Sequence, residues 1–350
     1  MAVTEIQKAR KAGTGRAATP PLTLLLILGG VLVAALLIAA TFGAVEIQLS
    51  ALLGGTMTDL QENVLTSIRA PRLFLGALVG AALAISGAAL QGLFRNALAD
   101  PTLIGVSSGA YLAVAVVIVF SGSLTGVLGL YGMSLAAFGG SLVACFIIFQ
   151  FAKMTGTFSV TYMLLTGVAI NALAMAGVGF LSFISNDQQL RAISLWSMGS
   201  VGGALWPSVF VCASIVLPAI FFLLRNARAM NILLLGEEEA QYLGVDSDRI
   251  KRNVIICTAL CVGAAVALSG LIGFVGLVVP HLVRLTIGPD HRWLIPASAL
   301  LGAILLTFAD TLSRTLVAPT EMPVGILTSL IGGPFFLWLL MRQFSGRFGL

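Results

Sequence analysis

The sequence predicts an all-α polytopic membrane protein of about ten transmembrane helices with an inverted internal repeat. Three observations carry this expectation. First, of 350 residues 58% are apolar and only 9% charged, with a mean hydropathy of +1.04, whereas a soluble domain carries roughly 25% charged residues. A soluble globule of this length keeps too much surface to hide that apolar content, which excludes a soluble enzyme, a disordered chain and a nucleic-acid binder. Second, the apolar residues fall in unbroken runs rather than in alternation, which excludes a transmembrane β-barrel. Third, a nine-residue segment recurs in the second half of the chain. The 39 glycines exceed the usual share of about 7% and suit close helix packing in lipid.

The elements follow in order. Residues 1–21 form a basic cytoplasmic tail with Lys8, Arg10, Lys11 and Arg16, closed by Pro20 and Pro21. The apolar run 22–42 exceeds the roughly 7–15 residues of a signal-peptide core, so it reads as a retained span. With roughly 20 apolar residues needed to cross a bilayer, further spans are expected at 73–93, 103–121, 127–151, 158–184, 207–224, 254–270, 271–287, 293–311 and 324–341. The 271–287 run is short and holds Gly273 and Pro280, whose ring frees a backbone carbonyl. A single transmembrane domain over 22–342 is therefore expected, with 343–350 as a cytoplasmic tail. With the N-terminus inside, 15 Lys and Arg fall in inner segments and only Arg69, Arg72, Arg191 and Arg314 in outer ones. The excess of inner cations sets this orientation, with both termini cytoplasmic.

Residues 79–87 read VGAALAISG and residues 262–270 read VGAAVALSG, matching at seven of nine positions. The copies lie in the second and seventh spans. That odd shift points them in opposite directions, the arrangement of many transporters. Two helices using one close-packing solution would give the same likeness.

Several chemistries are missing from the sequence. Acids are nearly absent from span interiors, with Asp310 near the outer end of the ninth span, which argues against proton coupling. There is no HExxH and no phosphate loop of the form G-x-x-x-x-G-K-[ST], so ATP would be hydrolysed elsewhere. Cys145, Cys212, Cys257 and Cys261 lie in apolar runs and read as packing residues. His281 and His291 read as structural hydrogen-bonding residues rather than metal ligands, and no metal site is expected.

Three polar segments interrupt the spans. LFRNALADPTLIGVSSGAY (93–111) is a sharp inner turn in which Asp100 suits the cap, and Pro101 the first turn, of the next helix. LLLGEEEAQYLGVDSDRIKRN (233–253) is the longest inner polar stretch. Gly236 and Gly244 bracket it, Glu237, Glu238 and Glu239 suit a helix's first turn, and Tyr242 and Leu243 offer an apolar face. It reads either as a short helix docking into another protein's groove or as a solvated loop. Arg69, Arg72 and Arg314 sit at the outer mouth against the topology bias. They either snorkel at the interface or meet an acidic external partner.

These segments resemble the iron-chelate, haem and cobalamin branch of bacterial ABC importer permeases. The resemblance rests on RAPRLFLGALVGAALAISGAALQGLFRNALADPTLIGVSSGA (69–110), LGEEEAQYLGV (235–245), SGLIGFVGLVVPHLVRLTIGPDHRWLIPASALLGA (269–303), and DTLSRTL with EMPVGILTSLIGGPFFLWLL (310–340). It implies ten spans in the bacterial inner membrane, a second copy of the chain, two cytoplasmic ATPases carrying the ATP and Mg²⁺, and a periplasmic substrate-binding protein. No cofactor is implied in the chain itself. The same resemblance gives Arg69, Arg72 and Arg314 to binding-protein docking. It gives Gly236, Glu237, Glu238, Glu239, Ala240, Leu243 and Gly244, within 233–248, to ATPase coupling. Asn96 and Leu98 match an inner constriction of the path, and Ser159 and Thr161 lie near a second. Ala97 replaces a proline common in the family, and Glu238 stands near a common aspartate. The implied activity is alternating-access import of a bulky iron compound. NDQQLRAISLWSMGSVGG (186–203) is similar to the outer loop of haem permeases, so haem is the favoured cargo, with a ferric siderophore or cobalamin as alternatives. An ion-coupled secondary carrier is the alternative from another class.

Overall fold

The structure, a computed structural model, describes residues 20–43, 45–101, 105–121, 126–153, 159–318 and 320–348. The basic tail expected over 1–21 lies almost wholly outside the described residues. Among the described residues every regular element is helical. In order they are α1 Pro21–Thr41, α2 Leu49–Gly54, α3 Asp59–Val64, a π turn Leu65–Arg69 running into α4 Ala70–Leu93, α5 Val106–Phe120, α6 Gly126–Ala152 and α7 Val160–Ile184. Then come α8 Asp187–Ser197, α9 Trp206–Leu233, α10 Glu237–Tyr242, α11 Ser247–Ser269, α12 Val275–Ile287, α13 His291–Thr315 and α14 Val324–Phe348. Seven of these segments are long and apolar enough to cross a membrane, and α5, α12 and the Val324–Leu339 part of α14 are shorter apolar stretches. Together they account for the ten expected runs.

The differences lie mostly at the helix ends. The sixth span, expected to stop at 224, runs to Leu233, and the seventh, expected from 254, starts at Ser247. The apolar stretches end there, whereas the backbone stays helical through Arg225, Arg228, Arg249, Lys251 and Arg252. The last helix likewise runs to Phe348, into the expected 343–350 tail. Three short helices were not expected: α2, α3 and α8. Both α3 and α8 start at capping boxes, Thr58 with Gln61 and Asn186 with Gln189, in which side chain and backbone at each end satisfy one another. The expected cap at Asp100 and first turn at Pro101 run into residues 102–104, which lie outside the described residues. Gly105, in a left-handed conformation at φ 83°, is the residue before α5, with no side-chain cap.

The centre of the bundle is α4, buried along most of its length and packed on α13, α11, α9 and α12. At the other extreme, α1 is almost wholly exposed to the surroundings. A second core joins α5, α6 and α7 to α11 through Val106, Ala110, Ala137, Met163 and Ile255. The α4–α13 crossing depends on glycine. A Cβ at Gly80 would overlap the Gly302 carbonyl and come within 2.9 Å of Leu306 Cβ, and one at Gly302 would lie 2.6 Å from Ala84 Cβ. Such backbone-to-backbone approach is how helices gain packing in lipid.

Direction follows from the ends. Trp206 Nε1 at the start of α9 donates to the Thr66 carbonyl beside the arginines (2.9 Å), and Asn231 at its far end bonds Asp290 before α13. Consequently α4 and α13 run antiparallel, with Arg69, Arg72 and Arg314 at one end and α10 at the other. α11 starts beside α10, and its last residue, Ser269, accepts from Ser200 (2.7 Å), two residues from Gly202, which lies against Arg72 and Glu321. The two copies of the nine-residue segment therefore run in opposite directions and pack on one another, as expected of an inverted repeat. Between α11 and α12 the chain leaves helical geometry over Gly270–Phe274, with Gly270 at φ 68° and Phe274 at φ 67°.

Gly80→Leu is expected to lower stability by about 1–3 kcal/mol through overpacking, read as a fall in the thermal midpoint in detergent. Gly29→Ala, where a Cβ meets nothing within 4 Å, is expected to leave the midpoint unchanged.

Candidate functional site

Two polar assemblies mark the two ends of the bundle. At the arginine end, Asp310 of α13 is buried between two guanidinium groups. Arg72 Nε donates to both Asp310 oxygens, at 3.0 and 3.1 Å, with Nη2 2.9 Å from Oδ1. Arg314 Nε lies 3.3 Å from Asp310 Oδ2, one helical turn along. Side-chain exposures of 6% for Arg72 and 2% for Asp310 place this pair where an uncompensated charge is costly. Arg72 Nη1 also donates to both oxygens of Glu321, at 3.0 and 2.8 Å. Arg69, equally buried, donates to the backbone carbonyls of Ala40 (2.6 Å), Thr41 and Val45, tying the end of α1 to the start of α4. All three arginines line one cavity of about 490 Å³, walled by Phe42, Val45, Val64, Ile68 and Glu321. The structure thus brings the three sequence-predicted arginines together, and it adds two acids. Asp310 was legible as the residue four before Arg314. Nothing local in the sequence ties Glu321 to Arg72, 249 positions away.

At the opposite end, Gly236 (φ 148°) and Gly244 (φ 77°) take backbone conformations that disfavour a side chain. They bracket α10, whose first turn carries Glu237, Glu238 and Glu239. Ala240 is buried and fixes the helix to the bundle, while Tyr242 is 90% exposed and Leu243 is exposed beside it. Lys251 Nζ meets Glu237 Oε2 at 2.5 Å, pinning α10 to α11. The sequence-predicted segment is therefore a short helix with an apolar tip, not an irregular loop.

Next to it lies a junction that the sequence reading missed. Asn231 Nδ2 donates to Asp290 Oδ1 (2.6 Å), and Asn231 Oδ1 accepts from the His291 backbone N–H (2.9 Å). That N–H requires an acceptor, so the amide is oriented and His291 Nδ1, 2.8 Å from the same oxygen, donates to it. The imidazole lies where a side chain at Gly92 would stand, so the end of α9, the start of α13 and the end of α4 meet at one ring. Arg292, bonded to both Asp290 oxygens, holds the Asp290 carboxyl down at about 2, against partial burial and with help from Asn231. A carboxyl lowered in the folded state contributes its stability above its ordinary range and loses it only as the pH falls towards 2. The junction is thus intact throughout the neutral range.

The remaining candidates lie in two separate turns. Asn96 Oδ1 accepts from the Leu98 N–H (2.9 Å) in the turn after α4, where Arg95 takes a left-handed conformation at φ 49°. Ser159 caps α7 from the Tyr162 N–H (3.4 Å), and Thr161 follows in its first turn. Within the bundle, a cavity of about 320 Å³ is lined by Asp100, Ser108, Asn171 and Phe274, with Ser108 donating to Asn171 Oδ1. Another, of about 500 Å³, is lined by Ser197, Met198, Leu271, Ser329 and Pro334. His281 packs edge-on against Phe335, ring centres 6.0 Å apart. Among the described residues no three His, Cys, Asp or Glu side chains lie together as a metal would require.

Asp310→Asn is expected to lower stability by about 3–5 kcal/mol, because it leaves two buried arginines facing each other. The readout is thermal unfolding in detergent, with Thr320→Ala on the exposed loop as the unaffected control.

Comparison with known proteins gives one consistent result. Residues 31–342 match the FecCD transport family. The chain is 51% identical over 327 residues to the hemin transport system permease protein HmuU of Yersinia pestis, covering 93% of this chain and 98% of that protein. It is 45% identical over 282 residues to the cobalamin import system permease protein BtuC of Halobacterium salinarum, covering 81% and 74%. Its fold is similar to a solved metal-chelate type ABC transporter in an inward-facing conformation, with TM-score 0.82 and 33% identity over 91% of this chain and 99% of that one.

Proposed function

Because this chain belongs to the FecCD transport family, and is therefore a multi-pass ABC importer permease rather than an enzyme, we propose that its cargo is haem. The observation that supports this cargo is the 51% identity to a hemin permease along nearly the whole chain. Cobalamin is the second reading, on the 45% identity to a cobalamin permease.

In this reading the chain works as a homodimer in the bacterial inner membrane, with both termini cytoplasmic. The arginine end faces the periplasm and α10 faces the cytoplasm. A periplasmic binding protein presents acidic side chains to the cavity lined by Arg69, Arg72 and Arg314. Their burial supports docking through the cavity mouth rather than across a flat surface. Two ATPases receive α10, with Tyr242 and Leu243 as apolar anchors and the residues from Gly236 to Gly244 as the coupling element. Closure of the ATPases moves α10, and Lys251 and Asn231 carry that movement into α11, α9 and α13. Asn96 and Leu98, with Ser159 and Thr161, form the inner constrictions. Asn96, Leu98 and Ser159 lie between spans and Thr161 in the first turn of α7, where small backbone changes are absorbed without unpacking a helix. Every step assigned to this chain is a change of conformation, and no cargo bond is broken.

Proteoliposomes containing the chain and its ATPase, supplied with binding protein and ATP, are expected to accumulate haem in preference to a ferric siderophore or cobalamin. Preferential cobalamin uptake overturns the cargo. Uptake driven by an ion gradient without ATP overturns the mechanism. In the same vesicles, Tyr242→Ala with Leu243→Ala is expected to cut transport on the order of tenfold, the effect of losing about 1.4 kcal/mol at an interface anchor. Normal transport by this variant removes α10 from the coupling role.

A further inference from the structure

The arginine-end cavity already holds an acidic side chain of its own. Arg72 is shared between two carboxylates of different character. Asp310 is buried, sits on the helix packed against α4, and also compensates Arg314. Glu321 lies in the segment between α13 and α14, and its side chain is 51% exposed. Removing Asp310 uncovers two buried cations. Removing Glu321 uncovers only one Nη of an arginine that Asp310 still holds. A half-exposed ion pair is worth about 1 kcal/mol or less, so a carboxylate arriving from solvent displaces Glu321 at little cost. Two further donors, Arg72 Nη2 and Arg314 Nε, face Asp310 as ion pairs without hydrogen-bond geometry. Both are buried against that carboxylate, so the exchangeable position is the Arg72 Nη1 that Glu321 occupies. Glu321 lines the same cavity, its Oε2 stands 3.2 Å from where a side chain at Gly202 would begin, and half of its side chain is open to solvent.

We propose, resting on the docking reading given above, that Glu321 is the resident occupant of the docking arginine, and that an acidic side chain of the binding protein engages Arg72 by exchanging with it. Asp310 stays in place as the fixed counter-ion. Docking then substitutes one carboxylate for another instead of adding a negative charge to a vacant cation. Arg72 is never left with an unpaired Nη between docking events. Glu321 sets a threshold as well: a partner must bring a carboxylate that competes with one already tethered to the chain, which discriminates against weakly acidic surfaces.

The test uses the full transporter in nanodiscs, with two readouts. Modification of Arg72 by phenylglyoxal, read by mass spectrometry, reports occupancy without any partner. Affinity for the purified binding protein, measured at low and moderate salt, reports exchange. Glu321→Gln is expected to raise Arg72 modification severalfold and to tighten binding about fivefold, the scale of one half-exposed pair. Glu321→Asp is expected to fall between Glu321→Gln and the native chain. Arg72→Gln combined with Glu321→Gln is expected to lose the gain, with an unchanged thermal midpoint for Glu321→Gln alone showing that the fold is intact. Weaker or unchanged binding by Glu321→Gln, while Arg314→Gln still weakens it, overturns the exchange and leaves docking standing. Unchanged binding by both Arg72→Gln and Arg314→Gln overturns docking itself, and the exchange with it.

Discussion

The bundle depends on one contact, the crossing of α4 with α13 at Gly80 and Gly302. Lipid tails are as apolar as leucine, so helices in a bilayer gain nothing from leaving them. What holds two spans together is close backbone packing and the polar bonds that such closeness allows. At Gly80 and Gly302 the backbones touch, and a single added carbon on either would collide with the other. With the crossing fixed, the two ends of the pair come into register. Arg72 of α4 reaches Asp310 of α13 at one end, and Gly92 of α4 receives the ring of His291 at the other.

The two ends use charge differently. At the arginine end the acids and cations are drawn into the protein, and Asp310 balances Arg72 and Arg314 in a place that water scarcely reaches. Charges held this way resist screening by salt and fix the guanidinium planes. At the α10 end the acids stay in the open. Glu237 touches Lys251, and Glu238 and Glu239 follow it in the first turn of the helix. One end therefore has a set, buried geometry. The other is a six-residue helix flanked by two glycines and pinned by a lysine.

Much of this was legible before any coordinates. The number and order of the spans followed from the apolar runs, because a helix that must sit in lipid has no other way to be written. The α10 segment announced itself through two glycines and three acids in helix-start order. The opposed direction of the two VGAA segments followed from counting the spans between them. Helix ends were not legible, since Arg225 to Leu233 and Ser247 to Asn253 continue a helix outside the apolar core and leave no mark on hydropathy. Long-range partners were the least accessible. Asp310 and Arg314 betray each other by their spacing, but the pairing of Arg72 with Glu321, or of Asn231 with His291, exists only after the helices have packed.

The non-helical run Gly270–Phe274 carries a constraint on what surrounds it. Gly270 donates back to Val266, and the Gly273 and Phe274 carbonyls accept from Val275 and Val278, but the regular helical ladder is interrupted, and hydrocarbon offers no replacement partners. Leu271 lines both interior cavities, and Phe274 lines one of them. An acyl chain pressed against this stretch would strand amide dipoles in oil. The stretch is kept from that fate by the protein itself: Gly270 and Ile272 are buried in the bundle, and Leu271 and Phe274 border its cavities, so irregular backbone here is sheltered by neighbouring helices.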